Sequence, residues 1–438
     1  RLRTFLLALP PARLLFAGYL SYVLVGWGLL MTPAAQEVPV GAIDSLFIAT
    51  SAMSTTGLVT IDTGTTFSFF GELVVLLLIQ VGGLGYMTIG SFAYLSLSGR
   101  LSGFRVHTTR AAFGLPDTIA PALFIRSVVV FTLMVEAVGA FALTVMFYHR
   151  DVPGFLWQGI FHSVSAFCTA GFSLFATSLE AFKSDPAVLL TISALSVLGS
   201  IGFLIVVDIW FWMTGRIARL GFTSTVILKM TAWLIGIGTL AVMIADPVIA
   251  TMPFGERLLN GFFQAMSAST TVGFNTVPVG GMGIAALFAL IVLMVIGASP
   301  AGTGGGFKTT SAAVIAGLVR SVLRGRRQVQ LYGHAVAEDR VHLASAAFAY
   351  YLAAMSLALF ALLLVDPGAT FEAALFEAVS AMSTVGLSMG LTGSLSDAGK
   401  LIVMFLMFAG RVGFLTFGIA IALRGRRDAK LAEADLVL

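Results

Sequence analysis

The chain has 438 residues, of which 58% are hydrophobic and only 11% are charged, with a formal net charge of +4. Its mean hydropathy is +0.99. Soluble domains carry about a quarter charged residues, so this composition excludes a soluble globular fold. We therefore expect an all-α polytopic membrane protein.

Eight hydrophobic runs are long enough to span a bilayer as helices, which takes about 20 residues each. They lie near residues 14–31, 72–98, 124–147, 187–214, 225–245, 284–318, 343–365 and 399–423. An even number of transmembrane helices predicts that both termini lie on the same side of the membrane.

The lysines and arginines are unevenly distributed among the predicted loops. Nineteen of the 25 lie at the termini and in the loops around 100–126, 214–229 and 320–340. Four lie on the opposite side, namely Arg150, Lys183, Arg257 and Lys400, and the remaining two, Lys308 and Arg411, lie within apolar sequence. The positive-inside rule predicts cytoplasmic termini in a cell membrane. The basic balance thus reflects topology and predicts no nucleic-acid partner.

Four segments share the pattern Ser-Ala-x-x-Thr-x-Gly-(Leu/Phe), at residues 51–58, 165–172, 267–274 and 380–387. Their glycines are 114, 102 and 113 residues apart, and a phenylalanine precedes each glycine by ten positions. This spacing indicates a fourfold internal repeat. It predicts repeat units 1–110, 111–222, 223–340 and 341–424, followed by a cytoplasmic tail, 425–438.

A short apolar segment leads into each glycine, at 44–55, 158–169, 260–271 and 373–384. These segments are too short to cross the bilayer and are typical of re-entrant half-helices, whose freed backbone must line a water-filled path or be buried in protein. Four helix C-termini at the membrane centre favour a cation. The loops offer carbonyls and hydroxyls but no ionised group, which indicates a monovalent ion.

The predicted fold is therefore four units of span, half-helix, filter loop and span around a pseudo-fourfold central pore. The candidate filter residues are Thr55, Thr56, Gly57, Thr169, Ala170, Gly171, Thr271, Val272, Gly273, Thr384, Val385 and Gly386. Asn275, just beyond Gly273, is a candidate support that hydrogen-bonds the third loop from behind. Cys168 is interpreted as a small loop residue and His162 as a structural histidine.

The four span-loop-span units with single-glycine loops resemble the Trk/Ktr/HKT superfamily of potassium transporters over roughly residues 14–424. With eight spans and a glycine-rich break, the chain is most similar to the membrane subunit of Ktr systems. The resemblance implies K+ bound by filter backbone carbonyls, a homodimer, and a cytoplasmic nucleotide-binding regulatory ring. It also implies no organic cofactor. In plant relatives a serine at the first filter glycine accompanies sodium permeation, so Gly57 implies potassium preference. A role for Na+ stays open.

A glycine-rich break interrupts the sixth hydrophobic run between Gly297 and Thr310. It is not a phosphate-binding P-loop, because Phe307 separates the last glycine from Lys308. We interpret it as a gate below the filter, and a packing kink is the alternative. The break begins 24 residues after Gly273 and Arg411 lies 25 after Gly386, so the two are expected to meet. The candidate gate residues are Gly297, Gly302, Gly304, Gly305, Gly306, Lys308 and Arg411.

An arginine within apolar sequence is costly unless it faces a cavity or a partner. The alternative for Arg411 is a structural salt bridge, with Glu136 and Asp208 as candidate partners. The linker 320–342 and the basic tail are predicted membrane anchors or docking surfaces for the cytoplasmic partner.

Two other classes of protein, an ion-coupled carrier and an intramembrane enzyme, fit the sequence less well. An ion-coupled carrier of the inverted-repeat type needs repeats of opposite topology, whereas these four units share one. An intramembrane enzyme would need a catalytic set, and no His/Glu metal motif or Gly-x-Ser-x-Gly elbow is present in the sequence. We therefore expect a transporter and not an enzyme.

Overall fold

The computed structural model describes residues 11–85, 88, 121–300 and 302–412. The described chain is predominantly helical. Its longer helices are α1 (Pro11–Leu30), α2 (Ala42–Met53), α3 (Phe69–Leu84), α4 (Pro121–Tyr148), α5 (Phe155–Phe167), α6 (Pro186–Ser200), α7 (Phe203–Met213), α8 (Phe222–Ala245), α9 (Phe254–Thr270), α10 (Ile284–Val295), α11 (Thr309–Leu323), α12 (Glu338–Val365), α13 (Phe371–Met382) and α14 (Asp397–Val412).

Several one-turn elements connect these helices. They are the α-helical turns Thr63–Thr66 and Pro247–Ala250 and the 3-10 turns Pro33–Ala35, Glu180–Phe182, Val279–Gly281 and Thr392–Ser394. A hairpin that the sequence did not predict lies in the linker before α12, where β1 (Gln330–Leu331) pairs antiparallel with β2 (His334–Ala335).

Short helices are present at the four predicted segments, as α2, α5, α9 and α13. Three lie within three residues of the expected bounds, and α9 begins six residues earlier than predicted. The C-terminal half of each is buried, and the predicted phenylalanines Phe47, Phe161, Phe263 and Phe376 are all 0% exposed. Each helix ends one or two residues before a threonine with positive φ. An α-helix cannot continue through that backbone conformation. The four buried ends therefore lead directly into the glycine loops.

The prediction of one continuous span over 187–214 is wrong. Helices α6 and α7 are bent by 100° at a two-residue break. Gly202 has a φ of +96°, which L-residues rarely adopt, and the carbonyl of Ser200 accepts a hydrogen bond from the amide of Ser299 at 3.2 Å.

The predicted break in the sixth run is confirmed between α10 and α11. The segment 296–308 doubles back on itself: the amide of Gly297 donates to the carbonyl of Phe307 at 2.9 Å, and the amide of Ala298 donates to Gly305 at 3.1 Å. We call it the broken-helix loop. Its backbone polar groups are thus largely satisfied by protein, as burial in a membrane requires.

Three of the described helices, α4, α8 and α12, are long and apolar enough to cross a membrane, or four if the bent pair counts as one. Their outer faces carry exposed apolar side chains such as Phe141, Ile244 and Leu357, each more than 70% exposed. This is the surface of a multi-pass membrane protein. The second halves of runs 72–98 and 399–423, the boundary at residues 110 and 111, and the tail 425–438 lie outside the described residues.

Candidate functional site

The four loops at residues 54–58, 168–172, 270–274 and 383–387, called here the glycine loops, meet in a closed ring. Each glycine lies against the carbonyl oxygen that precedes the glycine of the next loop, and the fourth loop returns to the first. The contacts are Gly57 with Ala170, Gly171 with Val272, Gly273 with Val385, and Gly386 with Thr56. An added Cβ at any of the four would come closer than 3.0 Å to that oxygen.

The backbone of the glycine loops repeats one conformation. The φ angles of Thr55, Thr169, Thr271 and Thr384 lie between +50° and +61°, and those of the glycines between +66° and +95°. A positive φ is costly for residues with a Cβ, and the four glycine positions also have no room for a Cβ. Both facts explain why the motif has glycine there.

The repeated serine of the motif holds each loop to its helix. The residue before each glycine donates its amide to the serine carbonyl at 2.8 to 3.1 Å. The serine hydroxyl forms a second bond, accepting from the glycine amide in the first and fourth loops and donating to the carbonyl of Phe172 or Phe274 in the other two. With these amides bonded backwards, the carbonyls of residues 56, 170, 272 and 385 face the neighbouring glycines.

A cavity of about 350 Å³ lies on one side of the ring, and all four glycines line it. Its wall includes the carboxylates of Asp62 and Glu180 and the residue two positions after each glycine. The cavity therefore combines the glycine ring with negative charge, which attracts cations. Asp62 and Glu180 were not among the sequence-predicted site residues, because a single acidic residue in a loop gives no motif.

The broken-helix loop lies against the other side of the ring and touches the threonine of every glycine loop. Thr55 donates to the carbonyl of Thr303 at 3.4 Å, and the hydroxyls of Thr169 and Thr303 are 3.1 Å apart. A Cβ on Gly304 or Gly305 would overlap the hydroxyl of Thr271 or Thr384, respectively. The loop therefore covers the ring from below, and Thr303 is a central contact that the sequence reasoning missed.

Arg411 meets the broken-helix loop, as predicted. Its guanidinium donates from Nη1 to the carbonyl of Thr303, and from Nη2 to the carbonyls of Gly82 and Gly83. Among the residues that the structure describes, all its hydrogen bonds go to backbone carbonyls and none to a carboxylate. The second predicted cation, Lys308, donates from Nζ to the carbonyl of Gly304 at 2.8 Å.

The two carboxylates considered as partners of Arg411 have other contacts. Glu136 accepts a hydrogen bond from the thiol of Cys168 at 3.5 Å, and Asp208 accepts one from the hydroxyl of Ser224 at 2.5 Å. Arg411 is therefore a cation bound to the loop and not a member of a salt bridge within the described residues.

Asn275 supports the region above the third loop and not the glycine from behind. Its amide nitrogen donates to Glu180 at 2.9 Å and to the carbonyl of Val277 at 3.0 Å, and the residue lines the cavity. Cys168 is fully buried in its loop beside Gly83, and His162 bonds Gln158 and Ser173. Asn275 is therefore a wall residue of the cavity.

The arrangement can select a cation by its coordination. Carbonyl oxygens gather at the ring, carboxylates lie above it, and two partly buried cations, Lys308 and Arg411, lie below it beside the loop that covers it. Carbonyls without a fixed negative charge replace the water shell of a monovalent ion without trapping it, whereas a divalent ion would want carboxylates as direct ligands.

Comparison with known proteins agrees with this arrangement. The family model described as "TrkH: Cation transport protein" matches residues 26–425. The Ktr system potassium uptake protein B of Vibrio alginolyticus is 34% identical, covering 94% of this chain and 91% of the relative. The potassium/sodium uptake protein NtpJ of Enterococcus hirae is 30% identical, covering 98% and 97%.

Among solved structures, the potassium transporter TrkH from Vibrio parahaemolyticus is similar, with a TM-score of 0.71 and 19% identity over 93% of this chain and 85% of that one. At this identity the likeness establishes the fold, while the family model and the sequence relatives establish the relationship. The chain belongs to the TrkH family of cation transport proteins, and its family is one of transporters and not of enzymes.

Proposed function

We propose that this chain is the pore-forming membrane subunit of a potassium uptake system, in which K+ passes through the ring of four glycine loops. The observation that carries the proposal is the closed ring itself, in which each glycine lies against the carbonyl of the next loop. Relatives named potassium uptake proteins, similar over nearly the whole chain, support K+ as the ion.

The proposed path runs from the cavity through the ring to the cytoplasm. Asp62 and Glu180 raise the local cation concentration in the cavity. The carbonyls of residues 56, 170, 272 and 385 then replace part of the ion's hydration shell. Each loop has one glycine followed by Leu58, Phe172, Phe274 or Leu387, so we expect fewer ion sites than the stacked carbonyl rings of a longer filter would give.

We propose that the broken-helix loop and Arg411 form the gate. The loop touches all four threonines below the ring and so obstructs the path sterically. The Arg411 guanidinium, bound to the loop through Thr303, opposes a cation electrostatically. At an effective dielectric near 20, two unit charges about 4 Å apart interact by roughly 4 kcal/mol. Opening requires the loop to leave the threonines, and α11, which follows it directly, can transmit that movement.

The proposed membrane topology is eight spans in four repeated units around a pseudo-fourfold axis, in a cell membrane with both termini cytoplasmic. Four similar loops closed into one ring support the fourfold arrangement. The distribution of lysine and arginine supports the orientation.

We propose a homodimer regulated by a cytoplasmic nucleotide-binding ring. A second cavity, of about 590 Å³, lies between α8, α11 and the β1–β2 hairpin, and Arg320, Arg324 and Arg326 line it. This basic surface supports docking of a partner with acidic groups.

Cation flux in proteoliposomes tests the function. We expect flux with K+ and Rb+ well above that with Na+ and Li+. An NtpJ relative is named for potassium and sodium, so Na+ is measured both as a permeant ion and as an activator of K+ flux. Flux that requires another solute instead would favour an ion-coupled carrier, and absence of K+ flux would contradict the proposal.

A further inference from the structure

The four glycine loops share a second pattern that their motif does not contain. Eleven residues separate one position on each short helix from the position two residues after each glycine. The resulting pairs are Ile48 with Val59, His162 with Ser173, Gln264 with Asn275, and Glu377 with Ser388. All four helix members are 0% exposed, and all four second members line the cavity above the ring.

The second and fourth loops use this pair in the same way. Ser173 is 2.9 Å from Nε2 of His162 and accepts the amide of Phe175 at 2.9 Å. The other ring nitrogen, Nδ1, faces the carbonyl of Gln158 at 2.8 Å and so is the protonated one, which leaves Nε2 to accept from the serine. The serine hydroxyl thus ties the chain above the glycine to the helix behind it.

Glu377 repeats this arrangement with a carboxylate. Ser388 donates to its Oε2 at 2.8 Å and accepts the amide of Gly390 at 3.0 Å. Thr392 donates to its Oε1. A carboxylate with no exposure inside a membrane protein is expensive unless its oxygens are bonded. Within the described part of the chain, the hydrogen bonds to this one come from the segment above the fourth glycine.

The other two pairs fit the same plan with different chemistry. Gln264 accepts the amide of Thr276 at 3.3 Å, one residue beyond the paired Asn275. Ile48 and Val59 are apolar and belong to one hydrophobic cluster. In three of the pairs, a polar helix residue is therefore matched with a polar residue of the cavity wall. In the first loop, an apolar helix residue is matched with an apolar wall residue.

We propose that His162, Gln264 and Glu377 are positioning residues that hold the cavity wall above the glycine ring, and that Glu377 in this way sets the ion discrimination of the fourth loop. The proposal rests on the proposed function for its link to selectivity, but the tether itself does not. Because the fourth glycine is nine residues from Glu377 and two from Ser388, release of this bond frees the chain that follows Gly386, whose contact with the carbonyl of Thr56 closes the ring.

The decisive variant transplants the apolar pair of the first loop into the fourth. Glu377→Ile alone leaves the Ser388 hydroxyl without its acceptor, whereas Glu377→Ile with Ser388→Val reproduces Ile48 and Val59. Glu377→Gln keeps an acceptor without the charge. Ile48→Leu in the first loop, which removes no hydrogen bond, is the matched control. Should Glu377→Ile not fold, Ser388→Ala removes the same bond from the cavity side.

Two readouts are measured on purified protein: backbone hydrogen exchange of residues 387–392 against 274–278, and the K+ over Na+ flux ratio in proteoliposomes. We expect Ser388→Ala to speed exchange at 387–392 and to lower the ratio by about two- to tenfold, the range that loss of one hydrogen bond gives. Glu377→Ile, which also removes the acceptor of Thr392, should have at least as large an effect. The double variant and Glu377→Gln should lie within about twofold of the unsubstituted protein.

The outcomes separate this proposal from the proposed function. Unsubstituted protein that carries no K+ would overturn the function, while the exchange data would still judge the tether. Unchanged exchange and an unchanged ratio in both Glu377→Ile and Ser388→Ala would overturn the positioning role. An equal loss in Glu377→Gln would also overturn it, because the carboxylate charge and not the tether would then be required.

Discussion

At the scale of single residues, the ring makes selectivity depend on glycine. We expect Gly273→Ser to lower the K+ over Na+ flux ratio at least severalfold, because its Cβ would overlap the carbonyl oxygen of Val385 in the neighbouring loop. Flux measurement in proteoliposomes checks this, with size-exclusion chromatography to confirm folding. Gly281→Ser is the matched control, since no atom lies within 4 Å of its added Cβ. If both Gly273→Ser and Gly57→Ser kept the K+ over Na+ flux ratio of the unsubstituted protein, the ring would not be the selectivity filter.

The residues of the ring were predictable from the sequence, but their supports were not. The Thr-x-Gly motif is recognisable because it occurs four times. Thr303 belongs to no repeated motif, and Glu377 differs from the residues at the same position in the other units, which are Ile48, His162 and Gln264. Only the constant eleven-residue spacing to the cavity residues could have pointed to Glu377. The four loops share one backbone conformation, which requires the same Thr-x-Gly motif in each. The buried pair behind each loop needs only two side chains that fit each other, so its chemistry can differ from loop to loop.

At the scale of elements, the short helices and the broken-helix loop were predictable because glycine and helix length mark them. The bend between α6 and α7 was not, since residues 187–214 are apolar or small with the single exception of Asp208, which lies beyond the bend. The bend follows from a tertiary contact: the carbonyls of Gly199 and Ser200 accept the amides of Thr303 and Ser299 at 3.0 and 3.2 Å. A distant segment thus replaces the helical hydrogen bonds that the break gives up.

The gate prediction belongs to this scale. Deleting residues 302–306, or replacing Arg411 by Ala, should raise K+ flux and loosen its dependence on the cytoplasmic partner, because each removes part of what covers the ring. The deletion removes the contacts to all four threonines, and Arg411→Ala removes the cation bound to Thr303. Flux into proteoliposomes, with and without the partner, is the measurement.

Arg257→Ala is the matched control for Arg411→Ala. Arg257 also bonds a backbone carbonyl, that of Met243, at 2.7 and 3.0 Å, but it lies near the start of α9, on the side predicted to be opposite the termini. Its replacement should leave flux unchanged. If both the deletion and Arg411→Ala had the flux and the regulation of the unsubstituted protein, the loop would be a packing kink and not a gate.

At the scale of the whole molecule, one ion pair joins the end of the described chain to its start. Lys400 of α14 contacts Asp44 of α2 at 2.8 Å, with side chains 12% and 24% exposed. We expect a coupling energy of about 1 kcal/mol in a double-mutant cycle, because the pair is partly buried. Thermal unfolding of Lys400→Gln, Asp44→Asn and the double variant measures it. The pair Lys400 with Asp397, 4.0 Å apart and exposed at Asp397, is the control and should show no coupling.

Regulation also involves the whole molecule, and the segment 320–342 is the longest linker that the sequence predicts on the cytoplasmic side. We expect a signal from the cytoplasm to reach the chain through a partner that binds this segment. The part of the linker between the helices, residues 324–337, directly follows α11, which itself follows the broken-helix loop. A partner that pulls on it would therefore move the segment that covers the ring. The basic side chains of the linker are solvent-exposed: Arg326 lines the second cavity, and Arg327 is the next residue.

We expect charge reversal of both, Arg326→Glu with Arg327→Glu, to weaken co-purification of a cytoplasmic nucleotide-binding ring at least tenfold, and more so at low salt, where attraction between exposed charges is strongest. Reversal of Arg216 and Arg219, on the same predicted side but outside the second cavity, is the control and should leave binding intact. Pull-down from detergent-solubilised membranes at two ionic strengths provides the measurement. Binding that survives reversal of Arg326 and Arg327 would show that the docking surface is not this linker. Equal losses of binding in the two double variants would mean that the predicted cytoplasmic side attracts its partner by overall charge alone.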